Sequence, residues 1–342
     1  MRILFLLIFL LGSMAAQTPS FDLSTLKLQW KARIESIKMQ GFLPLCDIES
    51  SFNFENFDQE WYAKTMDEEH IALIAFSAQV GNKAFEKEGK IWSDGASKIT
   101  QVDPSRYVPT TTEGIYPAWS SEPEAFVAKT IEKVQIEHYP LMGEFEFRHY
   151  PSPRQAKRGE NERDIIIPID SPAAHQLFSF SERSGIAFQI HYEVENDLLA
   201  PLEKMLQTYP KAKVIWCHLA QIRYSSRASM YTPAYIKTLL DKYPNLYFDL
   251  AFGDWDSIYK PSNEYHATIW DRGSHKLKPE WVALIEAYPY RFLSAFDIGG
   301  DRHDSLREKA HVSREILKSL SPKTQEIVAY KAFWKLLFNE DI

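Results

Sequence analysis

A chain of 342 residues with 45% hydrophobic content can bury a large core, and two cysteines are too few for a disulfide scaffold. The formal charge of -7 argues against nucleic acid as a partner, because phosphate binding needs clustered Lys and Arg. The most basic stretch, "RQAKRGENER" (154–163), is interrupted by acids and reads as a solvated loop.

Residues 1–20 combine a basic start at Arg2, an apolar run from Ile3 to Leu11, and small residues at Ser13, Ala15 and Ala16. This pattern predicts a signal peptide over 1–16, cleaved near Ala15 or Ala16, and an exported protein, periplasmic or secreted. The run is much shorter than the roughly 20 residues that span a bilayer, so no stable membrane anchor is expected. A polar lead-in with a short amphipathic segment, 17–41, forms an N-terminal extension before the main domain, 42–342.

From residue 42 onward, apolar extended runs alternate with helical patterns. The runs are "FLPLCDIESSF" (42–52), "HIALIAFSA" (70–78), "SRYVPTTTEG" (105–114), "LMGEFEFRHY" (141–150), "GIAFQIHYE" (185–193), "AKVIWCHLA" (212–220), "NLYFDLAFG" (245–253) and "YRFLSAFDIGG" (290–300). Helical periodicity fills the spaces, as in 121–140 and 197–210, and Pro140, Pro210, Pro244 and Pro289 stop helices shortly before the next run. Eight runs with long crossovers predict an α/β fold of one domain, a (β/α)8 TIM barrel. The glycine-free turn after the first run disfavours a doubly wound sheet. The long crossover 151–184 is expected to cover the mouth before its helix. Cys46 and Cys217 are expected to be buried, free thiols facing the helices.

In such a barrel the chemistry sits at the C-terminal strand ends. Polar residues collect there: Asp47, Glu49 and Ser51 on the first strand, Glu144, Glu146 and Arg148 on the fourth, then His191, His218 and Asp297. Strict alternation places Glu144, Glu146 and Arg148 on the inner face, with Phe145, Phe147 and His149 opposite. Imidazole and carboxylate converging on one mouth are the donors that Zn²⁺ or Mn²⁺ uses.

The segments 190–223 and 288–302, supported by "GEFEFRHYP" (143–151), resemble the amidohydrolase superfamily, in its amidohydrolase-related branch. The resemblance implies that His191 and His218 follow strands five and six, and that Asp297 follows strand eight as metal ligand and proton carrier. It departs at "DIESS" (47–51), where Glu49 and Ser51 stand at the positions of the family's His-x-His pair. One reading is a hydrolase of a small, carboxylate-bearing molecule, with Glu49, His191, His218, Asp297 and Glu144 around one divalent Zn or Mn ion. A metal-activated water attacks, Asp297 and His218 are catalytic, and Arg148 and Arg223 bind the substrate carboxylate. The alternative is a metal-free pseudoenzyme or small-molecule-binding barrel. Barrel enzymes of this branch are often dimers, so the resemblance also admits a homodimer.

Overall fold

The computed structural model describes residues 21–53, 57–219, 221–299 and 302–342. The expected signal segment, 1–16, lies outside them. No helix among the described residues is long and apolar enough to cross a membrane.

The fold is α/β. Eight parallel strands carry it: β1 (Leu45–Phe52), β2 (Ile71–Ala78), β3 (Tyr107–Pro109), β4 (Leu141–His149), β5 (Ala187–Tyr192), β6 (Val214–Trp216), β7 (Leu246–Asp249) and β8 (Phe292–Leu293). They form two sheets, β1-β2-β3 and β4-β5-β6-β7-β8, the second extended by Ile165–Ile166 antiparallel to β4. Hydrogen bonds pass between the sheets at both edges. Ile48 N donates to Ser294 O (3.1 Å) and Asp297 N to Glu49 O (2.9 Å), while Thr111 N donates to Leu141 O (3.3 Å) and Glu146 N to Gly114 O (2.9 Å).

Each predicted run contains one of these strands, generally shorter than the run itself. The runs were readable because β1, β2, β4 and β5 are buried along their whole length, which demands apolar side chains on both faces. Helices start where a cap or a first-turn proline directs them. Asp22 accepts from Ser24 N and Thr25 N to open the helix Leu23–Met39, and prolines begin the helices Pro123–Glu137, Pro172–Ser184 and Pro233–Lys242. Trp119 and Trp216 pack in the core and donate to Glu146 O and Tyr192 O, both at 2.7 Å, which ties core packing to the strand ends. Cys46 and Cys217 are free and buried.

Two departures from regular pairing matter for the site. Gly143, at φ +117°, lies against Gln189, where a Cβ would come within 2.9 Å of backbone atoms, so only glycine lets β4 and β5 approach there. The β4–β5 register then slips twice, between Met142 and Phe145 and again between Glu146 and Arg148. The second slip breaks the alternation that sequence reading assumes.

Candidate functional site

The C-terminal strand ends surround a cavity of about 740 Å3, lined among others by Glu144, His191, His218 and Asp297. Strand-end backbone conformation aims two of these side chains. His218 and Asp297 adopt left-handed φ values of 64° and 49°, which for residues with a Cβ costs roughly 1–2 kcal/mol and persists only where the surroundings enforce it.

Glu144, His191 and His218 form the tightest cluster. Glu144 Oε1 lies 3.2 Å from His191 Nδ1 and 3.5 Å from His218 Nε2, and the two ring nitrogens are 3.2 Å apart. The remaining ring nitrogens are engaged elsewhere: His191 Nε2 with Glu193 Oε1 at 3.1 Å, and His218 Nδ1 with the Ala251 carbonyl at 2.7 Å. In a neutral ring, a nitrogen that donates to a carboxylate or a carbonyl fixes the tautomer and turns the other nitrogen's lone pair toward the cluster. Glu49, His218 and Asp297 offer a second, overlapping set of donors, and Glu49 Oε2 is buried with no hydrogen-bond partner among the described residues.

The electrostatics follow from this crowding. Burial opposes charge on His191, but the Glu144 and Glu193 carboxylates outweigh it and push the ring up to about 10. Burial likewise works against ionised Glu144, yet His191 and His218 hold it down at about 2. Burial raises Glu49 well above the usual carboxylate range, and the charges of Asp297 and Glu144 add to that. Asp297 goes the other way despite its burial, because Arg302 binds it through Nη2–Oδ1 (2.8 Å) and Nη1–Oδ2 (3.2 Å).

Arg148 does not reach the cavity. The register slip after Glu146 turns it away, and its guanidinium is held by Glu195 (2.7 Å) and Asp164 (2.5 Å) over the ring of Tyr150. The same slip brings His149, expected on the outer face, to the cavity wall. Arg148 is therefore a structural clamp, and its assignment to substrate is corrected. Arg148→Met is expected to lower stability by about 2 kcal/mol, the loss of charge-assisted hydrogen bonds, with metal content unchanged. Urea unfolding beside elemental analysis checks both; loss of metal in that variant would return Arg148 to the site.

Arg223 does line the cavity, but its guanidinium is engaged by Glu193 (Nε, 2.9 Å) and the Tyr150 carbonyl (Nη1, 2.7 Å). It acts on His191 through Glu193. The crossover after β4 forms one wall: the helix Pro153–Arg158 is opened by a Ser152–Gln155 capping box, and Arg163 reaches inward to pair with Glu146. Its carbonyl accepts from His149 Nδ1 at 2.7 Å.

Several residues that line the cavity or support those that do were not singled out from sequence. Glu193 had a signal, since it stands two residues after His191 and alternation puts both on one face. Asp249, fully buried at the end of β7, accepts from His218 N at 2.8 Å and supports that residue's unusual backbone. Glu113 is pushed up to about 8 by burial and by Glu144 and Glu146. Arg302 and Lys309 come from the segment after β8, where no spacing rule points to the cavity.

Neither a protein-family model nor a curated protein sequence matches the chain. Solved structures do. The chain is similar to 2,6-dihydroxybenzoate decarboxylase from Rhizobium (11% identity, TM-score 0.51, covering 86% of this chain and 98% of that one). Dihydroxybenzoic acid decarboxylase from Polaromonas sp. JS666, with bound manganese and the inhibitor 2-nitroresorcinol, gives 11% identity and a TM-score of 0.52 over 87% of this chain and 98% of that one. A mutant organophosphorus hydrolase gives 12%, 0.50, 86% and 92%. These structural neighbours are amidohydrolase-superfamily members. The chain shares their fold. At such low identity the likeness concerns the course of the backbone, and the chemistry has to be argued from the residues of this site.

Proposed function

We propose that the protein is a metal-dependent enzyme that hydrolyses a small, carboxylate-bearing molecule at the C-terminal mouth of a closed (β/α)8 barrel. The hydrogen bonds that join the two sheets at both edges support closure. One observation carries the metal. Two imidazole nitrogens, His191 Nδ1 and His218 Nε2, face each other at 3.2 Å beside Glu144 Oε1, with the other nitrogens already engaged. Such a pair needs a cation, either a proton or a metal ion, and imidazole with carboxylate suits Zn²⁺ or Mn²⁺. Glu49, which has an unpartnered buried oxygen among the described residues, and Asp297 form a second set of donors that shares His218 with the first and would be available to hold the ion.

When bound there, a divalent ion supplies Lewis-acid activation of water and of a substrate oxygen. The chain's own residues do the rest. Asp297, kept ionised by Arg302, takes the proton of the attacking water and passes it to the leaving group. Glu193 and Ala251 O hold the two histidine rings in orientation. The wall built from 151–164 keeps bulk water out, and the reading includes export before function.

A second reading, loss of CO2 from an aromatic acid, is favoured by one feature. A carboxylate held as far down as Asp297 is a weak acceptor for a water proton. The fold neighbours include decarboxylases, which adds support of the same kind.

Purification without chelator, followed by elemental analysis, tests the metal. About one Zn or Mn per chain is expected in the native protein, with little left in Glu144→Gln and His191→Asn. No metal in any preparation, even after reconstitution, would leave a metal-free binding barrel as the better reading. Screening lactones, esters and aromatic acids for acid release and for CO2 then separates the two reactions.

A further inference from the structure

Ser51 stands where the resemblance calls for a histidine, and its surroundings give it other work. Three polar atoms meet around Gly299. A Cβ built there would lie 2.8 Å from Ser51 Oγ, 3.6 Å from Arg302 Nη2 and 3.8 Å from Gln79 Nε2. All four residues line the cavity, and so does Lys309.

Proton accounting shows which donors remain. Gln79 Nε2 directs its two N–H groups at Ser51 Oγ (2.9 Å) and Glu113 Oε2 (2.8 Å). Ser51 Oγ thus accepts from Gln79, and its own O–H is left to donate. Arg302 uses one N–H of each terminal nitrogen on Asp297 and its Nε on Gly299 O (3.3 Å), so one N–H on Nη1 and one on Nη2 have no partner among the described residues. Lys309 Nζ has no hydrogen-bond or ion-pair partner among the described residues, on a helix, Leu306–Lys318, that brings it to the cavity. The charges are asymmetric as well. Asp297 pairs directly with Arg302, whereas the Lys309 ammonium, disfavoured by burial and supported by the charges of Asp297 and Glu49, is matched by no direct ion pair among the described residues.

We propose that Ser51, Arg302 and Lys309 form a receptor for one substrate carboxylate, with Gln79 as the residue that orients Ser51. The inference deepens the functional reading above and rests on it for an anionic substrate, but it concerns different atoms from the metal donors. A carboxylate matches the single unmatched charge and the three donors. A phosphate, carrying about -1.5 to -2 at neutral pH, would bring excess negative charge beside Asp297. Gly299 keeps the space open, and any side chain there would meet the Ser51 hydroxyl.

Calorimetric titration of the metal-loaded protein with benzoate, benzamide and inorganic phosphate tests this, with metal content measured on each sample. Benzoate is expected to bind at least about tenfold more tightly than benzamide or phosphate, since only it offers a singly charged bidentate acceptor. Lys309→Met should weaken benzoate about tenfold, Ser51→Ala by a smaller factor, and Lys309→Arg should recover most of the loss. Metal content should not change in any of them. Unchanged benzoate affinity in both Lys309→Met and Ser51→Ala overturns the receptor, as does benzamide binding equal to benzoate or no saturable binding. Tighter binding of phosphate overturns the carboxylate assignment. Should the protein hold no metal while benzoate binding still depends on Lys309, the metal reading falls and the receptor stands. Metal present with benzoate indifferent to Lys309 and Ser51 gives the opposite result.

Discussion

Asp297→Asn is expected to lower turnover by about 10³-fold, the range for removing a general base, in a protein that remains folded. The amide keeps an oxygen toward Arg302 but cannot take a proton from water. Metal content decides how the loss is read: an unchanged ion with lost turnover assigns proton transfer to Asp297, while loss of the ion assigns coordination. Arg302→Met sharpens the test. Arg302 holds the Asp297 carboxyl down, so its removal should move the acidic limb of the rate profile to higher pH, because the base is then protonated over a wider acidic range. An unmoved limb in Arg302→Met, or full activity in Asp297→Asn, would remove Asp297 from the mechanism.

Asp47→Ala is expected to destabilise the fold by about 4 kcal/mol without contacting any substrate. Asp47 Oδ1 accepts from Glu49 N (3.0 Å) and, across the seam between sheets, from Phe296 N (2.9 Å), while Oδ2 accepts from Ser50 Oγ (2.5 Å). Alanine leaves two buried backbone N–H groups without partners. Asp47→Asn keeps one acceptor oxygen and no charge in a position where burial already raises the carboxyl's pKa, so it should cost less than half as much. Urea unfolding of the two variants measures the difference, and equal stability of Asp47→Ala and the native chain would contradict the role.

On the first strand, sequence alone gives Asp47 no role. It is fully buried and serves the backbone, and no spacing pattern marks an aspartate for that. His191, His218 and Asp297 were legible because parallel strands bury both faces, and the first polar residue after such a run marks the strand end. Arg148 was misplaced because alternation holds only while the register does, and a slip between Glu146 and Arg148 leaves no signature in composition. Arg302 and Lys309 were invisible for a different reason. Their approach to β1 is set by how the segment after β8 folds back, a tertiary fact with no local period. The α/β class and the crossover wall followed from run length and spacing. The hydrogen bonds that join the two sheets did not, since single bridges need no particular side chain.

The missing side chain at Gly299 bears on what a substitution at that position would do. A Cβ there would lie 2.8 Å from Ser51 Oγ, closer than a carbon and a hydroxyl settle, so even alanine at 299 would force Ser51 or the loop after β8 to move. That loop also carries Asp297 and Arg302, which hold each other through two hydrogen bonds. A change at a residue with no side chain of its own would thus be felt by the charged groups of the cavity.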